Sequence, residues 1–148
     1  MSHQVIMDAV ERTSNTKRIV ILGAGAGHDI PFDYLLNKFD EIHLVDVVFL
    51  AGIRKLASCH RKIKLIETDV TGAVDPLYST RDLHDVEKLE IMPPQGLLSG
   101  ADLVVSCNLL SQLSVNIRKW LIEKGEAEES LLLKKFCRSI VISHLRWL

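Results

Sequence analysis

Short apolar runs separated by helical or polar segments organise the chain. The first is the run IVIL at residues 19–22, which follows the charged pair Lys17 and Arg18. Glycines stand at alternate positions directly after it. An unbroken run rich in β-branched residues predicts a buried parallel strand, and the glycines predict a tight loop at its end.

Three later segments, at residues 42–45, 63–67 and 101–106, are mainly apolar and also predict strands. The segments between the first three runs predict helices. Phe32, Leu35, Leu36 and Phe39 have the spacing of a buried helical stripe, and a second helix is expected over residues 48–58. Strands separated by helices form right-handed crossovers. The pattern therefore predicts an α/β fold with a parallel sheet of about four strands and helices on both faces.

The remaining segments complete this outline. A helix is expected at residues 5–12, a polar connector at 13–16, a short helix at 81–89 and a turn at 93–96. From about residue 129 to the end, one amphipathic helix would place the charged residues on one side and the apolar residues on the other. A fifth strand at 140–142 stays as the alternative. We therefore expect one domain over residues 1–148, with 1–16 as its N-terminal helix and connector and with its C-terminal strands missing.

Composition narrows the range of functions. The chain has 18 Lys and Arg against 19 Asp and Glu, and both signs occur throughout its length. This balance predicts no basic surface for nucleic acid or for an anionic membrane. No apolar run approaches the roughly 18 residues of a membrane span, and no secretory signal pattern is visible, so we expect a cytoplasmic protein.

Cys59, Cys107 and Cys137 are far apart and lack the paired spacing of metal-binding motifs. Such cysteines are typical of core packing, so no metal site is expected.

The glycine loop is the first candidate for chemistry. Gly23, Gly25 and Gly27 have no side chains, so a ligand can approach the backbone at the sheet edge where open α/β folds bind. The dinucleotide fingerprint GxGxxG needs a third glycine at position 28, where this chain has His28. The spacing argues against a dinucleotide and leaves a ligand-free tight turn as the structural alternative.

The observed GxGxG spacing resembles that of the class I, Rossmann-like methyltransferases that use S-adenosylmethionine, over residues 17–112. In that family an acidic residue ends the second strand and accepts hydrogen bonds from the ribose, and Asp46 has this position. Asp69, after the third strand, is similar to the family's acidic residue beside the adenine. The segment after the fourth strand resembles the family's polar segment at the methyl-transfer site.

The resemblance thus implies a site for S-adenosylmethionine. Its residues would be Gly23, Ala24, Gly25, Gly27, His28, Asp46, Val47, Asp69, Val70 and Asn108. His28 is expected at the methionine end of the cofactor. No catalytic residue is assigned, and the best candidates to line the methyl-transfer site are Asn108, Ser111 and Gln112, which could instead cap the next helix.

Two departures from the family pattern limit the inference. The family often has an acidic residue two positions before the first glycine, where this chain has Ile21. Asp29 could replace that carboxylate at the methionine ammonium, although capping of the following helix is its more ordinary role. The segment after the fourth strand also lacks the NPPY-type signature of enzymes that methylate nucleic-acid bases, so the acceptor is expected to be a small molecule or a protein.

Two other functions remain open from the sequence. One is an NAD(P)-dependent oxidoreductase, and the other is a non-catalytic cofactor-binding or interaction module. If no fifth strand follows, the fourth strand has an exposed edge, and such edges pair with other chains. We therefore expect a homo-oligomer that forms through this edge.

Overall fold

The computed structural model describes residues 2–80 and 83–148. The strands are β1 (Arg18–Leu22), β2 (Glu41–Asp46), β3 (Ile63–Glu67) and β4 (Leu103–Ser106). The α-helices are α1 (Ser2–Glu11), α2 (Phe32–Lys38), α3 (Ala51–Cys59), α4 (Val74–Ser79), α5 (Val115–Glu123) and α6 (Leu131–Trp147). A 3₁₀-helix covers Leu83–Lys88.

The four strands form one all-parallel sheet in the order β3-β2-β1-β4. This sheet, flanked by helices, confirms the predicted α/β class. The chain passes outward from β1 through β2 to β3 and then returns to the other side of β1 with β4. Open α/β sheets bind ligands where the strand order reverses in this way, outside the carboxyl ends of the strands. The carboxyl ends of β1 and β4 are therefore the first place to look for a site.

The chain divides into two compact units. The first comprises Met1–Thr68 and Gly96–Cys107, and the second comprises Asp69–Gln95 and Asn108–Leu148. The whole sheet and helices α1 to α3 belong to the first unit.

The core of the first unit explains why the strand predictions are correct. Ile19 and Ile21 of β1 lie on one face with Ile42 and Leu44 of β2, and all four are fully buried. The helices add buried side chains to the same cluster, namely Ile6, Val10, Leu35, Phe39 and Ile53. β-Branched runs buried in this way cannot be exposed without losing about 25 cal/mol per Å² of apolar surface.

In the second unit, α6 confirms the helix that was predicted near the end of the chain. Ser130 caps it by accepting a hydrogen bond from the amide of Leu133, and its inward face is Leu133, Phe136, Ile140 and His144. Leu148 follows the end of the helix and is 50% exposed. Helix α4 was not predicted, and α5 was expected only as a helix after residue 112, without bounds. The first two residues of the helix that was predicted over residues 81–89 lie outside the described part of the chain.

The start of α2 differs from the sequence prediction. Asp29 was expected to cap this helix, but α2 begins at Phe32 with Pro31 as its N-cap residue. Within the described residues no side chain caps this end. Asp29 stands too far ahead of the first turn, because a capping side chain must directly precede the helix.

A charged cluster on the sheet is centred on Glu41. Its Oε2 lies 2.9 Å from Nε of Arg18, 3.1 Å from Nε2 of His43 and 3.4 Å from Nζ of Lys64. The hydrogen bond from Arg18, aided by Lys64, lowers the pKa of Glu41 from 4.5 to about 2. Burial lowers the pKa of His43, so this histidine stays neutral near pH 7.

We expect Glu41→Gln to weaken the acid dependence of stability. Because the folded state lowers the pKa of Glu41, its ionised form stabilises the fold above pH 4.5, and this stabilisation is lost as the pH falls towards about 2. In urea unfolding across this range, the wild type should lose its advantage over the variant. The exposed Glu90→Gln is the control, and equal pH slopes for wild type and Glu41→Gln would contradict the account.

Candidate functional site

The glycine loop leaves β1 in a conformation that other residues rarely adopt. Gly23, Gly25 and Gly27 have φ values of 79°, 33° and 74°. The amides of Gly23 and Ala24 both donate to the carbonyl oxygen of Val45, at 2.9 and 3.3 Å. The loop is therefore tied to the end of β2 and lies across the carboxyl edge of the sheet.

The carboxylate of Asp46 also attaches the glycine loop to the end of β2 through hydrogen bonds. Its Oδ2 accepts a hydrogen bond of 2.7 Å from the amide of Gly25, and its Oδ1 accepts one of 2.7 Å from the amide of Val47. A Cβ atom on Gly25 would lie 3.3 Å from Oδ2, so a glycine lets the carboxylate approach this closely. An ionised carboxylate has about four acceptor positions. Among residues 2–80 and 83–148 neither oxygen of Asp46 has a second donor, so each keeps one position for a ligand.

At Gly27 the loop makes close contacts with side chains of two helices. A Cβ atom there would lie 2.3 Å from Cδ1 of Ile53 and 2.9 Å from Cε2 of Phe32. The loop thus packs closely against α3 and α2 at this glycine. The amides of all three glycines are engaged, at Val45, Asp46 and Ala24 respectively, so the approach of a ligand to these glycines stays a prediction.

His28 and Ala24 of the glycine loop differ in their exposure to solvent. His28 is exposed, and its carbonyl oxygen lies 3.0 Å from Nε2 of His3. Ala24 as a whole is only 2% exposed and its amide donates to Val45, so neither its side chain nor its amide is open to a ligand. Among the described residues, the amides of Ala26 and His28 have no hydrogen-bond partner. These two amides are the donors that the loop offers to a ligand.

Asp29 places a negative charge near the end of β4. Cys107 follows β4, is buried, and donates its amide to the carbonyl oxygen of Leu22 at 2.9 Å. Burial raises the pKa of its thiol, and the charge of Asp29 raises it further. The thiol is therefore protonated near pH 7 and is a poor nucleophile. No sequence pattern predicted that the charge of Asp29 acts on the thiol of Cys107, because the two residues are distant along the chain.

An exposed apolar segment follows Asp46. Val47, Val48 and Leu50 are each more than half exposed, while Phe49 between them is buried. Arg54 of α3 donates from Nε to the carbonyl oxygen of Phe49 at 3.3 Å and also pairs with Glu67 at the end of β3. Arg54 therefore holds this apolar segment at the carboxyl edge. Of the segment, only Val47 was among the predicted site residues.

Asp69 and Val70 belong to the second unit. Asp69 Oδ1 accepts hydrogen bonds from the amide and hydroxyl of Thr71, at 2.8 and 2.6 Å. Its Oδ2 accepts from the amides of Ala73 and Val74, at 3.1 and 3.0 Å. These four donors fill the acceptor positions of the carboxylate and order the start of α4. The geometry thus supports a structural role for Asp69 rather than an adenine contact, and Val70 is buried.

Asn108, Ser111 and Gln112 follow β4 in the chain and are exposed. Asn108 has a φ of 53° and is the one residue other than glycine with a positive φ in the described part of the chain. Asparagine tolerates this conformation better than most residues, and such strain is common at functional sites. Ser111 and Gln112 do not cap α5, since Ser114 is its N-cap residue.

The first turn of α2 is poorly suited to a pyrophosphate. Dinucleotide folds place that group on the free amides of a helix that directly follows the glycine loop. Here Pro31 has no amide hydrogen, and the amide of Phe32 donates to the carbonyl oxygen of Ile30 at 3.0 Å. The two nearby carboxylates, Asp29 and Asp46, would also repel phosphate charge.

Comparison with protein-family models, with curated proteins and with solved structures finds no match. Among residues 2–80 and 83–148, no helix is long and apolar enough to cross a membrane. The same residues contain no group of three or more His, Cys, Asp or Glu side chains placed to hold a metal ion.

Proposed function

We propose that the first unit binds S-adenosylmethionine and that the chain is part of a methyltransferase acting on a small molecule or a protein. The observation that carries this proposal is the carboxylate of Asp46. It holds the glycine loop at the edge where the strand order reverses, and each of its oxygens keeps one acceptor position. Two vicinal ribose hydroxyls are the donors that such a carboxylate accepts best.

The charges around the loop support a cationic rather than an anionic ligand. S-adenosylmethionine carries a sulfonium and an ammonium group, whereas a dinucleotide carries two phosphate charges. Asp29 and Asp46 give the carboxyl edge a negative potential, which favours the cation. Asp29 takes the role that the family gives to the position of Ile21, whose side chain is fully buried in β1. The exposed side chain of Val47 gives the adenine ring an apolar surface.

When bound, S-adenosylmethionine supplies an electrophilic methyl group. Transfer then depends mainly on alignment of the acceptor, and a general base is needed only where the acceptor must lose a proton. The protein's task is therefore to orient the two reactants. From the sequence alone, Asn108 is the first candidate for this task, followed by Ser111 and Gln112, and these three residues belong to the second unit. The protonated thiol of Cys107 is not assigned a chemical step.

A thermal-shift panel tests the choice of ligand. S-adenosylmethionine and its demethylated product should stabilise the protein by about 2.7 kcal/mol at a concentration of 100 times Kd. For a chain of this size the melting temperature should rise by roughly 5 to 10 °C. NAD and NADP at the same concentration should have no effect.

The other outcomes of the thermal-shift panel would change the proposed function. A larger shift with NAD than with S-adenosylmethionine would overturn the proposal in favour of an oxidoreductase. A shift with S-adenosylmethionine, without methyl transfer to any small-molecule or protein acceptor offered, would restrict the function to cofactor binding.

A further inference from the structure

A groove between α4 and α5 lies wholly within the second unit and is separate from the glycine loop. Its volume is about 350 Å³. Leu77 and Ile117 are buried at its base, and Tyr78 and Trp120 form its walls. Its other lining residues are Val74, Asn116, Lys119 and Glu123. Small-molecule sites have this size and composition, with apolar walls and a few polar groups.

The aromatic walls suggest a flat ligand. The ring centroids of Tyr78 and Trp120 are 5.8 Å apart, and the rings are tilted by 38°. Tyr78 is nevertheless 74% exposed, although it contacts Trp120. An aromatic ring held at the surface beside an apolar groove can gain contact area when another ring stacks on it.

The charges at the rim favour an anionic substituent. Nζ of Lys124 lies 5.6 Å from the centre of the Trp120 ring, so a cation already occupies this aromatic surface. Lys119 lies one residue before Trp120, and its distance of 3.9 Å to Glu123 marks a loose, exposed ion pair. Such a pair contributes little and can rearrange to receive another carboxylate. The lining itself has one lysine and one carboxylate, Lys119 and Glu123, and Lys124 on the ring of Trp120 adds a second positive charge beside it.

The dimensions argue against a helical peptide. α4 has six residues and is thus about 9 Å long. A helix that docks through positions i, i+4 and i+7 spreads its anchors over about 10 Å and needs a longer wall. We infer that the groove between α4 and α5 binds a small planar aromatic carboxylate, with its ring against Tyr78 and Trp120 and its anionic group towards Lys119.

Three probes of one shape and different charge test this inference: 1-naphthoate, 1-naphthylmethanol and 1-naphthylmethylammonium. The reporter is the indole N–H signal of Trp120 in NMR titrations. The chain has two tryptophans, so Trp147→Phe assigns this signal. We expect 1-naphthoate to shift it with a Kd of about 1 mM or lower, and the cation to bind about tenfold more weakly.

Variants separate the ring contact from the charge. Lys119→Gln should weaken binding of 1-naphthoate about fivefold and leave the neutral probe unchanged. Tyr78→Ala should weaken all three probes about fivefold, and because this side chain is mostly exposed the variant should fold. Lys55→Gln, on a helix of the first unit, is the matched control and should change nothing.

The inference is overturned if no probe shifts the indole signal, or if the cation binds as tightly as 1-naphthoate. It is equally overturned if neither Tyr78→Ala nor Lys119→Gln changes binding, or if an amphipathic helical peptide shifts the signal while 1-naphthoate does not. None of these outcomes depends on the binding of S-adenosylmethionine to the first unit.

Discussion

Replacing Gly72 by alanine should destabilise the protein by about 3 to 5 kcal/mol, because the added methyl group would collide with backbone atoms. Gly72 has a φ of +65°, and a Cβ atom there would lie 2.0 Å from the carbonyl oxygen of Met92 and 2.4 Å from its carbon. A backbone group cannot rotate away as a side chain can. The turn that Asp69 orders would have to separate from Met92.

Gly96→Ala is the matched control for this experiment. Gly96 has a similar φ of +76°, but a Cβ atom there meets nothing within 4 Å. The control should therefore lose only the conformational term, about 1 to 2 kcal/mol. Urea unfolding of both variants measures the difference. Equal losses would show that Gly72 and the carbonyl group of Met92 are not in close contact.

Replacing Asp46 by alanine should reduce both the stability of the loop and the affinity for S-adenosylmethionine. The variant loses two hydrogen bonds from backbone amides to a charged acceptor, at Gly25 and Val47. The exposed amide of Val47 can turn to water, so we expect a loss of about 2 kcal/mol in unfolding free energy. Two lost ribose contacts should lower the affinity about 100-fold or more.

Adenosine and 2′,3′-dideoxyadenosine separate these two effects of Asp46. The wild type should prefer adenosine, whereas Asp46→Ala should bind both compounds equally weakly. Asp40→Ala, which removes an exposed carboxylate before β2, should leave stability and affinity unchanged. An undiminished preference for adenosine in Asp46→Ala would contradict the ribose contact, and unchanged stability would contradict the attachment of the loop.

The strands could be predicted from sequence because their evidence is local. Residues 19–22 are an unbroken apolar run, residues 63–67 carry Ile63, Leu65 and Ile66, and the observed strands agree to within a residue or two. The C-terminal helix was preferred over a fifth strand at 140–142 because its charged residues fall on one side of a helix, and the structure confirms the helix. Its capping residue, Ser130, directly precedes it.

The two helices whose bounds were not predicted, α4 and α5, are short. α4 has six residues and contains Pro76, so no periodic stripe could develop. α5 did carry a usable signal, because Ile117, Trp120 and Leu121 have the i, i+3, i+4 spacing and Gly125 follows them.

The site residues show a different limit of sequence reasoning. Position along the chain placed Asp46 and Asp69 at strand ends, and both positions are observed. Which donors each carboxylate has already accepted depends on the turn that follows. At Asp69, the threonine two residues later was a sign of a side-chain turn that satisfies the carboxylate internally. Likewise, the sequence does not show that Gly27 lies against Ile53 and Phe32 whereas Gly25 lies against Asp46.

The most direct test of the central proposal is an amide NMR titration with S-adenosylmethionine. We predict saturable shifts that are largest for the amides of residues 23–28 and of Val47, and none of comparable size when NAD is added. The absence of shifts at millimolar S-adenosylmethionine, or shifts confined to residues outside the glycine loop and the end of β2, would contradict the assignment of this site.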